Sequence, residues 1–201
     1  ENIGPSARAH IRSLIELTEE IYSDDKMIRA INEASVHIVE ILKNGGKVLT
    51  AGNGGSATDA SHLAEELVGR YRHTRKPLPA IHLGADAGAV TCISNDFGFE
   101  EIFSRQVEAL GEWGDALVVF STSGNSSNIN KALEMAKRKK VFSIALLGRD
   151  GGEAAKLADH SVIVPHQESA RIQEIHTLIL HSMCEACDYC FVSNRNHLSE
   201  S

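Results

Sequence analysis

The sequence predicts an α/β fold, a parallel sheet layered between helices, and three observations carry that prediction. Short runs rich in Val, Ile and Leu recur through the middle of the chain with little polar alternation, the pattern of strands buried on both faces. Segments with three- and four-residue apolar spacing lie between most of these runs, as crossover helices require. Gly- and Ser-rich turns stand where two of the runs end and a helical pattern begins.

The elements follow in order. From Ser6 to about Lys43, Ile11, Leu14, Ile15, Leu17 and Ile21, then Ile28, Ile31, Val36, Ile38, Val39 and Leu42, mark two amphipathic helices. Ser23, Asp24 and Asp25 suit the N-cap of the second and place the split there. After Gly45 and Gly46 the strand candidates are KVLTAG at 47–52, AIHLG at 80–84, AVTCIS at 89–94, ALVVFS at 116–121, VFSIALLG at 141–148 and SVIVP at 161–165. Helices are predicted over 57–68, 99–110, 129–139 and 153–157, and a long, largely buried one runs from Ser169 to about Val192. No linker, repeat or low-complexity tract divides the chain. The reading is therefore a helical pair over 1–45 packed on the same domain, an α/β domain over 46–192, and a polar tail over 193–201.

Composition narrows the function. Of the 201 residues 42% are hydrophobic, enough for a sizeable core, and the formal net charge of -7 argues against wrapping nucleic acid through bulk electrostatics. No apolar run approaches the roughly 18 residues that span a bilayer, and the opening residues lack a secretory apolar region, so a cytoplasmic protein without membrane contact is expected. Cys92 stands alone in an apolar segment while Cys184, Cys187 and Cys190 crowd one helical pattern, unlike a disulfide framework. Three thiols spaced along a helix, with no fourth Cys and no following Pro, read as small core residues rather than cluster ligands.

The first chemical motif is Gly52-Asn53-Gly54-Gly55-Ser56, a Gly-rich turn between a strand and a helix, which lets backbone N–H groups approach an anion at the helix N-terminus. It is not a dinucleotide site, because no acidic residue closes the next strand at the required spacing, and no Gly-Lys-Ser/Thr makes it a nucleotide P-loop. The second is Ser121-Thr122-Ser123-Gly124-Asn125-Ser126-Ser127, whose hydroxyls, without Lys or Arg, suit a phosphate monoester; a plain N-cap would need only one or two of them. Two such loops at the carboxyl ends of parallel strands would flank one crevice. The third is His62 with Glu66, which share a helix face at i and i+4 and can hold a metal or form an acid/base pair, although such a pair is also common on solvated helices. Polar Arg171, Gln173, His176 and His181 sit on an otherwise apolar helix, where they need partners. The basic stretch Arg70 to Lys76 reads as a solvated loop, and Lys137 to Lys140 as cations ending a helix.

Four segments, GNGGSATDASHLAEELVGRYR at 52–72, SNDFGFEEIFSRQVEALG at 94–111, STSGNSSNI at 121–129 and ARIQEIHTLILH at 170–181, resemble in order the phosphoheptose isomerases of the sugar isomerase (SIS) domain class. The resemblance implies a three-layer sandwich around a five-stranded, flavodoxin-like parallel sheet in a homotetramer. It implies one zinc ion per site held by His62, Glu66, Gln173 and His181. It places sugar contacts at Asn53, Gly54, Gly55, Glu66, Asn95, Asp96 and Gln173, and phosphate contacts at Ser56, Ser121, Thr122, Ser123 and Ser126. The implied reaction turns sedoheptulose 7-phosphate into its aldose through an enediol, with Glu66 and His181 as catalytic acid/base residues, and supplies heptose for a bacterial surface polysaccharide. Two rivals share the fold: a non-catalytic adaptor that binds a replication initiator, which has no need of the polar quartet, and an isomerase for another phosphosugar. Gln173 and His181 are separated by about 12 Å along a regular helix, so either that helix is distorted or His181 and the other ligands come from different chains. The second option is expected here, with active sites at subunit interfaces.

Overall fold

The computed structural model describes residues 6–192, and the polar tail expected over 193–201 lies outside them. Helix α1 (Ala7–Ser23) is capped by Ser6, and α2 (Asp25–Lys43) by Asp24, whose carboxylate accepts from Lys26 N at 2.8 Å and Met27 N at 3.2 Å, which sets the split where the sequence places it. There follow β1 (Val48–Gly52), α3 (Gly55–Val68), β2 (Ala80–His82), α4 (Ala87–Phe97), a 3-10 turn (Phe99–Glu101), α5 (Ser104–Leu110), β3 (Ala116–Ser121), α6 (Ser127–Lys139), β4 (Phe142–Gly148), α7 (Ala154–Leu157), β5 (His160–Val164) and α8 (Ser169–Phe191).

All five strands are parallel, in the order β2-β1-β3-β4-β5, with Val48 opposite Ala80 on one side and Ala116 on the other. Alternate strand residues feed two cores, as the period of two demands. Val48, Val118, Phe120, Ile144 and Leu146 face the side covered by α1, α2, α3 and α8, while Leu49, Leu117, Val119, Ala145 and Leu147 face the side covered by α4 to α7. The result is the three-layer sandwich that the uniformly buried strand runs imply.

Three expectations are corrected. AVTCIS is not a strand but the middle of α4: Asp86 caps that helix through Gly88 N and Ala89 N, and Val90 and Ile93, three residues apart, lean on the second core. β-branched content favoured a strand, and the cap with helical apolar spacing overrode it. Cys92 consequently lies exposed on α4 rather than in a buried segment. Arg75, read with its neighbours as solvated, is buried and bonded to Asp188 of α8. Cys184 and Cys187 are buried, and burial pushes the Cys187 thiol up to about 12, which fits inert core residues. No helix among the described residues is long and apolar enough to cross a membrane.

Candidate active site

In a doubly wound sheet of order 2-1-3-4-5 the crevice lies where β1 and β3 send their chains to opposite faces. The loops after those strands meet there. In the first, Gly54 takes φ 56°, and a Cβ on Gly52 would collide with the backbone of Ser56, so the tight entry into α3 needs glycine at both positions. In the second, Ser121 Oγ accepts from Gly124 N at 3.1 Å, Ser123 Oγ from Asn125 N at 3.2 Å, and Thr122 Oγ1 lies 3.1 Å from Ser169 Oγ. Reciprocal amide bonds of 2.9 Å between Asn53 and the buried Asn128 lock the two loops together.

The loops enclose a cavity of about 120 Å³ lined by Asn53, Ser56, Phe120, Ser121, Thr122, Ser123, Ser126, Ser169 and Gln173. With liquid water taking roughly 30 Å³ per molecule, this is room for one compact anionic group, so the rest of a ligand must extend outwards. Helices α3, α6 and α8 all begin at its wall, and no Lys or Arg lines it. Hydroxyls and oriented N–H groups are thus what it offers an anion. Ser126 is at the N-cap of α6 yet its side chain makes no capping bond, which leaves that hydroxyl for a ligand.

A second cluster stands further along α3 and α8. His62 Nε2 is 3.3 Å from Glu66 Oε1, and the His62 and His181 rings meet edge to face with centroids 5.0 Å apart. One ligand atom from each of His62, Glu66 and His181 falls within 4.8 Å of the others, a donor set of two imidazoles and a carboxylate that fits a zinc ion with a position left for substrate. Tyr71 stacks on His181 at 5.4 Å, with the Arg72 guanidinium 5.2 Å over the Tyr71 ring. Burial first, then nearby His62, lowers the His181 pKa, the direction that favours the neutral imidazole a metal ligand needs.

Helix α8 is continuous, and His181 joins His62 and Glu66 within one chain. The expectation that His181 and those ligands come from different chains is therefore corrected; the geometric conflict belongs to Gln173, two turns earlier on α8, which lines the cavity and would touch any side chain placed on Gly55. Gly54 and Gly55 form the exposed rim of the turn. Asn95 and Asp96 are brought to neither cluster: they are exposed at the end of α4, bonded to each other at 2.7 Å.

Sequence reasoning missed the residues between the clusters. Asp59 of α3 is buried, accepts from Thr177 Oγ1 of α8 at 3.0 Å, and its Oδ2 has no partner. Burial raises its pKa, against the pull of the Thr177 hydroxyl and His62. Its place one helical turn before His62 was the available signal. Ser169, on the cavity wall, was the first residue of a predicted helix and carried no other mark. A wider groove of about 580 Å³ between α2 and the end of α8 is lined by Glu40, Glu185 and Lys43 among Asn32, Ser35 and apolar residues, so its carboxylates outnumber its one cation.

Known proteins resemble the chain along most of its length. The SIS domain family matches residues 9–148. A phosphoheptose isomerase of Aneurinibacillus thermoaerophilus is 44% identical over 188 residues, 94% of this chain and 95% of its own, and one of Helicobacter pylori is 49% identical over 171 residues, 83% and 89%. The solved phosphoheptose isomerase of Neisseria gonorrhoeae superposes with a TM-score of 0.84 at 42% identity, covering 90% of this chain and 96% of that one. Likeness of this extent, over nearly the whole length of the relatives, makes the chain an isomerase of the phosphoheptose isomerase family, built on a SIS domain.

Proposed function

We propose that the protein converts sedoheptulose 7-phosphate into D-glycero-D-manno-heptose 7-phosphate in the cytoplasm, as a zinc enzyme supplying heptose for a surface polysaccharide. The observation that carries the proposal is the pairing of an anion cavity with a His-Glu-His cluster further along the same two helices. From Gln173 at the cavity to His181 the helix rises about 12 Å, so a phosphate held at one end sends an extended sugar chain toward the other.

In this reading Ser56, Ser121, Thr122, Ser123 and Ser126 hold the phosphate, and Gln173 turns toward the first sugar hydroxyls. Asn53 spends its amide on Asn128 and serves by bracing the loops. Glu66 removes a proton from C1 of the ketose and returns it to C2, while His181 donates to the C2 oxygen and takes the proton of the C1 hydroxyl, so the enediol forms and collapses with protons balanced. His62, Glu66 and His181, with Gln173 as a fourth candidate from the cavity side, would hold a zinc ion, which would supply Lewis acidity for the sugar oxygens when bound. Glu66 has two carboxylate oxygens, and only Oε1 faces His62. Glu66 could therefore serve a metal through one oxygen and act as base through the other, while His181 would move the oxygen protons only when its ring is off the metal.

The exposed apolar residues Ile11, Ile15 and Tyr22 of α1 support burial in a homotetramer, in which Asn95 and Asp96 reach the sugar of a neighbouring chain. The adaptor reading leaves the two clusters without a task. The deciding experiment is turnover of sedoheptulose 7-phosphate by the purified protein before and after chelation and after zinc repletion. Metal-dependent formation of the aldoheptose phosphate is expected; absence of turnover with zinc bound points to another phosphosugar, and absence of both sinks the enzyme reading.

A further inference from the structure

The segment joining α3 to β2 makes a buried ion pair with α8 that neither the cavity nor the His-Glu-His cluster uses. The Arg75 side chain is 0% exposed and that of Asp188 3%. Arg75 Nε donates to Asp188 Oδ1 at 2.8 Å, one terminal nitrogen donates to Leu67 O at 2.9 Å, and the other to Glu66 O at 2.8 Å. Asp188 Oδ2 accepts in turn from the backbone N–H of Arg72 and of His73, each at 2.9 Å. The guanidinium thus grips the last carbonyls of α3, including that of Glu66, while its counter-ion stands on α8 two turns beyond His181.

Burying both charges costs several kcal/mol of hydration per ion, and apolar residues of equal volume often serve stability as well. What an apolar pair lacks is register. Helices α3 and α8 run side by side in the same direction, matched at Gly55 with Gln173, Asp59 with Thr177, and His62 with His181. Of these the Asp59–Thr177 pair is a hydrogen bond, and α3 and α8 otherwise share an apolar cluster that includes Leu63, Leu67, Ile179 and Met183, which tolerates sliding. A slip of one residue moves a helix about 1.5 Å, far outside the roughly 0.2 Å tolerance of metal–ligand distances.

We infer that Arg75 and Asp188 are positioning residues that lock the register of α3 against α8 and so preset the spacing of His62 and Glu66 to His181. The inference deepens the zinc reading above and rests on it. Lysine cannot replace the arginine, because one ammonium group does not reach Asp188 and two helix carbonyls in a planar fork.

The test compares the wild type with Arg75→Lys and the nearly isosteric Asp188→Asn by zinc competition against a chromophoric chelator, with melting temperature and steady-state kinetics. Zinc affinity is expected to fall at least roughly tenfold in both variants, and kcat with it at limiting zinc, while KM for the sugar phosphate stays unchanged because the phosphate cavity lies at the far end of the helices. Excess zinc restores kcat. Lower melting temperatures with wild-type zinc affinity overturn the inference and leave a merely structural pair. A wild-type chain that takes no zinc, like a His181→Ala control, overturns the metal reading instead.

Discussion

The phosphate cavity and the His-Glu-His cluster share two helices but are built in opposite ways. The cavity is made by loops at the switch point of the sheet and the start of α8, from hydroxyls and N–H groups aimed by helix starts, and its residues come in three tight sequence blocks. The cluster is made by side chains well inside α3 and α8, 115 positions apart in sequence between Glu66 and His181, and nothing local fixes their distance. In the proposed reading many weak, partly redundant donors would hold the phosphate, whereas the chemistry would rest on three groups without substitutes.

That contrast predicts unequal losses. Glu66→Gln keeps the shape of the side chain and removes both the proposed base and a proposed metal ligand, so kcat at saturating zinc is expected to fall on the order of a thousandfold, with KM and melting temperature nearly unchanged; a loss below tenfold in stopped assays would give the base to another residue. Among the described residues Asp59, buried with an unpaired oxygen, would be the next to test.

The helix common to both regions carries the second prediction. His176 of α8 is fully buried, its Nε2 lies 3.1 Å from Leu147 O of β4, and Phe120 meets its ring edge on. Burial lowers its pKa from 6.5 to about 4. Between those values the unfolded chain binds the proton and the folded one does not, so the neutral imidazole's contribution is complete above pH 6.5 and is lost as pH falls toward 4. The loss at the lower limit is on the order of 3 kcal/mol. Denaturant melts of wild type and His176→Gln over this window check it: the difference in stability should shift steadily with pH, and parallel curves would remove His176 as the cause.

A smaller effect is expected from the cavity. Ser126→Ala deletes a hydroxyl that makes no capping bond, so α6 should be unharmed. One hydrogen bond to a charged group lost corresponds to a KM rise of roughly tenfold, with kcat steady. A fall in kcat of the same size would mean that the phosphate grip also sets the reacting carbons against Glu66, and the two regions would be coupled rather than modular.

The same contrast explains what could be read before the structure. The strand runs at 116–121 and 141–148, the cap at Asp24 and both Gly/Ser loops follow from local pattern, and the structure has them within a residue or two. AVTCIS failed because β-branched content and helical spacing disagree there, and the Asp86 cap that settles the matter lies outside the run. His62 and Glu66 were visible as a helix pair, but the arrival of His181 depends on two helices packing in register, and the burial of Arg75 depends on Asp188, far along the chain. Contacts of that kind leave no periodic trace in the sequence.

Asn95 and Asp96 turn this comparison into a question of how many chains make a site. They are exposed on α4, away from both clusters, while Glu66 and His181 meet within one chain. Denaturing and remixing Glu66→Gln with His181→Ala subunits should therefore stay inactive, because each defect disables its own site. Mixing Glu66→Gln with Asp96→Ala should instead recover about a quarter of wild-type turnover if the sugar is shared between two chains, the chance that random assembly brings an intact contribution from each. Recovery in the first mixture would mean that the cluster exchanges residues between subunits, and no recovery in the second would confine each site to a single chain, with α4 folding over its own cavity when the sugar binds.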